Sequence, residues 1–135
     1  MLLNKIKFTS RRVAGLLVLF LAISSFYSSV QAASYTVETV PNAHLSDRSN
    51  RVSNPDGIIL PEDVATINQM LQLVEDSLSI EVAVVAIESI GDNDARMFAT
   101  DLFKHWGIGK KGEDNGLLIL LVTDPAQRAV VFETG

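Results

Sequence analysis

Two predominantly apolar runs, each short enough for a strand and separated by one amphipathic helix, limit this chain more than any other feature. Ile80 to Ile87 reads I-E-V-A-V-V-A-I, and Leu117 to Val122 reads L-L-I-L-L-V. Both are rich in branched residues and barely alternate, the pattern of a strand covered on both faces. Between them Ala95, Phe98, Ala99, Leu102 and Phe103 recur at helical spacing, and Gly107 and Gly109 stop the helix. Strand, helix, strand is the crossover unit that makes two strands parallel and lays helices over a sheet. After the Asp124-Pro125 turn, Ala129 to Glu133 reads as a third strand, antiparallel to the second. Upstream, Pro61 opens a helix with Glu62 and Asp63 in its first turn and Val64, Ile67, Leu71, Val74 and Leu78 on one face; Leu60 offers it no side-chain cap. The predicted order is α-β-α-β-β. The predicted class is α/β, a three-layer sandwich whose central mixed sheet combines a βαβ unit with an antiparallel hairpin, with helices on both faces. Three strands and two helices leave one strand edge and part of a sheet face uncovered, so the domain is expected to be incomplete at Gly135.

The N-terminus reads as an export signal over residues 1–32. Lys5, Lys7, Arg11 and Arg12 form a basic stretch, Val13 to Ile23 carries no charge, and Val30-Gln31-Ala32 supplies a small-residue cleavage pattern. The competing reading is an uncleaved anchor, but a spanning helix needs about 20 apolar residues, and Ser24 and Ser25 interrupt the run short of that. Cleavage removes 4 of the 11 cations and no acid, leaving 7 against 16 Asp and Glu, a formal charge of −9. A field of that sign disfavours phosphate backbones, hence nucleic acid, and favours divalent cations and basic partners; solubility alone is the other explanation. The chain has no cysteine. An exported domain without disulfides, thiolate nucleophile or zinc-thiolate site must rest on packing. Residues 33–51 are polar and turn-prone and read as an extended lead-in, the packed domain starting near Val52.

Gly107-Ile108-Gly109-Lys110-Lys111-Gly112 has the G-x-G-x-x-G spacing of a dinucleotide site. In that fingerprint the glycines leave a strand and open a helix, so that the pyrophosphate meets the helix N-terminus. Here they leave a helix and enter a strand, which makes them a loop with positive φ values and excludes nucleotide. The chain has two histidines, His44 in the lead-in and His105 at a helix end, and no hydrolytic triad takes shape. Acidic residues remain. The loops after parallel strands emerge at one edge of the sheet, which would gather Asp56, Asp92, Asp94 and Asp124 and offer oxygens to Ca²⁺ or Mg²⁺. Each aspartate also has a purely structural reading: Asp92 or Asp94 as a helix cap, Asp124 and Asp56 as turn residues.

Asn54-Pro55-Asp56-Gly57-Ile58-Ile59, the strand Glu81-Val82-Ala83-Val84-Val85, the loop from Trp106, Gly107 and Gly109 through Asp114, Asn115 and Gly116, and Phe132-Glu133-Thr134-Gly135 together resemble the TPM domain family over residues 52–135. The resemblance implies an α/β sandwich. It implies one of two activities, since some plant members are described as acid phosphatases with a bound divalent metal and others as accessory proteins of membrane complexes. Bacterial members are exported, often with a later membrane span, so the resemblance also implies a tether beyond Gly135. This sequence has Asn54 where many members carry Asp and Leu60 where a Ser cap is common. The expectation is an exported, extracytoplasmic or periplasmic module that assists a protein partner at or near a membrane, with metal-dependent hydrolysis of phosphate esters as the alternative.

Overall fold

The computed structural model describes residues 33–135; the signal expected over residues 1–32 lies outside the described residues. The elements are a short helix α1 (Ala43–Ser46), β1 (Val52–Ser53), α2 (Pro61–Leu78), β2 (Glu81–Ile87), α3 (Ala95–Trp106), β3 (Gly116–Val122) and β4 (Ala129–Thr134). They form one mixed sheet in the order β1-β2-β3-β4, with β1, β2 and β3 parallel and β4 antiparallel to β3. The α/β class and the βαβ-plus-hairpin core follow the sequence pattern. The addition is β1, a two-residue strand that covers the edge of β2 expected to be free.

Side-chain alternation divides the sheet into two faces. Val85 and Ile87 of β2, Leu118, Leu120 and Val122 of β3 and Val131 of β4 share one face and form the core with Phe98, Ala99 and Leu102 of α3. Val82 and Ala86 point the other way and are buried on the side of α2, which packs on β1 and β2 whereas α3 packs on β3 and β4. The helices thus cover both faces, but unequally. No residue of α2 is fully buried, and Val64, Ile67, Leu71 and Val74 are each half-buried.

Helix ends follow local chemistry. Asp94 caps α3, its Oδ1 accepting from the backbone N–H groups of Arg96 and Met97 at 3.0 Å each, and Gly107 closes the helix in the left-handed region. Leu60 gives α2 no side-chain cap, as its apolar side chain requires.

The segment before β1, expected to be an extended lead-in, packs on the domain. Val40 is buried within the main core, with Tyr35 and Val37 packed against it, Ser34 bridges Ser89 in parallel, and the Tyr35 N–H donates to the Ser89 carbonyl at 2.9 Å. Polar composition concealed this because a few apolar residues at the right places suffice to anchor a strap. Among the described residues, no helix is long and apolar enough to cross a membrane.

Candidate functional site

Because β1, β2 and β3 run parallel, their carboxyl ends meet along one edge, and each is followed there by a carboxylate: Asp56, Glu88 and Asp124. Asp56 holds this edge together. Its Oδ1 accepts from the Tyr35 hydroxyl at 2.8 Å, and its Oδ2 accepts from the Glu88 backbone N–H at 2.7 Å. One side chain therefore ties the lead-in, the turn after β1 and the end of β2. The Asp124 N–H donates to the Glu88 carbonyl at 2.8 Å, and Asp124 Oδ1 accepts from the Ala126 N–H at 2.9 Å, fixing the turn into β4. Glu88, Ser89, Thr123, Asp124 and Pro125 line an open depression beside this row.

Of the four aspartates proposed from sequence, the edge gathers Asp56 and Asp124 and spends Asp94 on capping α3, while Asp92 stands exposed in the loop before that helix. Among the described residues, no three acidic, imidazole or thiolate side chains stand close enough to hold a metal ion. An ionised carboxylate offers about four lone-pair sites, so Asp56 and Asp124 keep acceptor capacity after these bonds. Two such carboxylates fall short of the six to eight oxygens of a Ca²⁺ cage.

Tyr35 and Glu88 escaped the sequence reading. Tyr35 acts across 21 residues, and no spacing rule links so distant a pair. Its hydroxyl pKa lies above the ordinary 10.0, through burial first, then the bond to Asp56 and the charges of Asp56 and Glu88. A raised tyrosine pKa favours the neutral phenol in the fold. That stability is present below the ordinary value and is lost as pH rises through the folded one. Tyr35→Phe is therefore expected to cost about 1 kcal/mol in urea unfolding at pH 7 and to remove part of the alkaline loss; an unchanged alkaline limb would contradict the role of this bond.

At the opposite edge the glycine loop has a structural role. The Gly109 N–H donates to Glu81 Oε2 at 3.0 Å, and the Lys110 N–H donates to Asn115 Oδ1 at 2.7 Å. Asn115 Nδ2 in turn donates to the Ser79 carbonyl at 2.6 Å, so one amide pins the loop to the end of α2. Asn54 staples the turn before α2 in the same way, donating to the Ile59 carbonyl at 2.8 Å and accepting from the Ile59 N–H at 3.1 Å. A carboxylate could make only the second bond, which is why an amide suits this position.

The family model of the TPM domain matches residues 52–135. The chain belongs to the TPM domain family. A similar solved structure is the solution NMR structure of the N-terminal domain of a protein from P. gingivalis, 37% identical with a TM-score of 0.68; the match covers 76% of this chain and 64% of that one. The match thus spans less than two thirds of that relative's length. Comparison with curated proteins found no match. Within the TPM domain, the loop from Trp106 to Gly116 is the helix-to-strand link that Asn115 and Glu81 hold in place.

Proposed function

We propose that this TPM domain is an exported accessory module that binds a protein of a membrane-associated complex through the sheet surface over β3 and β4. One observation carries the reading. On the face away from α3, Leu117, Ile119 and Leu121 are only half-buried, and Val130 and Phe132 are 58% and 61% exposed. The register sets Ile119 opposite Phe132 and Leu121 opposite Val130, which makes the patch contiguous. Scattered apolar residues are normal on a surface, but a contiguous patch marks a contact. The sequence expected both strands to be covered on two faces, and among the described residues this half has no helix over it.

The formal charge of −9 after signal removal favours a partner whose rim is basic around an apolar centre. The basic stretch, apolar run and cleavage pattern of residues 5–32 support export to the periplasm or another extracytoplasmic space. The acceptor capacity left on Asp56 and Asp124 is the one feature that favours the second reading, phosphate-ester hydrolysis with Ca²⁺ or Mg²⁺; it comes from two carboxylates and, among the described residues, not from a three-carboxylate metal site.

A photoreactive phenylalanine analogue at position 132 of the full-length protein tests the contact. The expected result is an adduct with one protein of the membrane fraction, absent when the same analogue replaces the exposed Met97 on α3. An adduct confined to the protein's own chain, or none, would contradict the partner surface.

A further inference from the structure

We propose that the outer edge of β4 takes up an extended segment of the partner as an added strand of the sheet, the segment being apolar at alternate positions and flanked by lysine or arginine. The inference rests on the partner surface proposed above and says how that surface is engaged. In the strand order β1-β2-β3-β4, β4 is terminal, and among the described residues no strand pairs with its outer side.

The ladder with β3 fixes which backbone groups that edge offers. In an antiparallel pair, opposite residues alternate between those that exchange both hydrogen bonds and those that exchange none. The Gly135 N–H donates to the Gly116 carbonyl at 3.4 Å, one step beyond the pair of Leu117 and Thr134. Counting back from there, Glu133, Val131 and Ala129 turn their N–H and C=O groups toward β3, while Thr134, Phe132 and Val130 turn theirs outward. Side chains follow the same alternation: Val131 is buried on the α3 face, whereas Val130 and Phe132 are exposed on the open face. The open edge and the open apolar face therefore belong to the same residues. A strand laid along β4 gains main-chain bonds and apolar contact together.

β4 lacks the lysine, proline and bulge that commonly blunt an exposed edge. Its sequence is A-V-V-F-E-T, and its register with β3 runs unbroken from Ala129 to Thr134. Its one charged residue, Glu133, is half-buried and accepts from the Thr100 hydroxyl of α3 at 3.0 Å, which ties it back from the edge. Charge selects the occupant. Each copy of the chain carries 16 Asp and Glu against 11 Lys and Arg, so a second copy meets repulsion. The same imbalance favours a partner segment with basic ends.

Amide hydrogen exchange of the full-length protein, read by NMR, tests the edge, first alone and then with the probe peptide acetyl-Lys-Val-Thr-Val-Thr-Val-Lys-amide. In the free protein the Val130 and Phe132 amides are expected to exchange at least about tenfold faster than those of Val131 and Glu133. The peptide is expected to bind saturably and to slow the Val130 and Phe132 amides at least about tenfold, and its counterpart with glutamate for lysine to bind at least about tenfold more weakly. Val130→Pro removes one outward N–H at a position an edge strand tolerates. In protein that circular dichroism shows to be folded, it is expected to weaken the peptide several-fold more than Val130→Ala, which keeps the N–H. Slow exchange of these amides in the free protein at every concentration would assign the edge to the chain's own residues, and slow exchange that appears only on concentration would assign it to a second copy; either overturns the proposal. So would equal binding of the acidic peptide or equal effects of the two substitutions. No saturable binding, or binding that leaves the outward amides unprotected, overturns strand addition and leaves the apolar surface to be judged by the adduct at position 132.

Discussion

Gly116→Ala is expected to destabilise the domain by about 3 kcal/mol or more, read as a lower urea midpoint. A Cβ on Gly116 would stand 2.5 Å from the Ile108 carbonyl oxygen, 2.8 Å from its carbon and 2.9 Å from Phe103 Cζ. Two of those atoms are backbone, so rotation of a side chain cannot relieve the clash. The approach is reciprocal, because a Cβ on Gly109, already at φ +91°, would lie 2.8 Å from the Gly116 nitrogen. The loop and the start of β3 therefore pack main chain against main chain, and the bonds of Gly109 to Glu81 and of Lys110 to Asn115 hold them there. Small domains have about 5–15 kcal/mol in total, so this one methyl group removes a substantial share. An unchanged midpoint would mean that the loop does not sit against β3 as described.

Val40→Asp is expected to cost about 4 kcal/mol or more, enough to leave much of the protein unfolded at 37 °C. Val40 is 4% exposed and belongs to the core beside α3, so the change loses apolar burial and places a carboxylate among apolar side chains. Thermal unfolding followed by circular dichroism reads the effect. A melting temperature within a few degrees of the wild type would show that residues 33–51 are the unpacked lead-in that their composition suggests.

How much of this was legible depended on whether the cue was local. The runs Ile80–Ile87 and Leu117–Val122 set β2 and β3, the Gly107 stop ended α3, and the cap expected from Asp92 or Asp94 comes from Asp94. What escaped was long-range or too short for a pattern. Two residues, Val52 and Ser53, carry no periodicity, yet pairing with Val84 and Val85 makes them a strand. The bond from Tyr35 to Asp56 joins residues 21 apart, and Arg51 meets Glu75 across 24. The candidate edge was half legible: topology brings Asp56 and Asp124 to it, and Glu88 joins them as the first residue beyond β2. Uniform apolarity misled in one respect, since β3 is as apolar on its half-open face as on the core face, and sequence does not distinguish cover by the chain's own helices from cover by a partner.

Binding rather than hydrolysis is the central claim, and turnover of a phosphate ester tests it most directly. Full-length protein, assayed with a chromogenic phosphate monoester with and without Ca²⁺ or Mg²⁺, is predicted to show no hydrolysis above the metal-only background. Hydrolysis that depends on the ion and disappears in folded Asp124→Ala protein would contradict the account and identify the Asp56–Glu88–Asp124 edge as a catalytic centre.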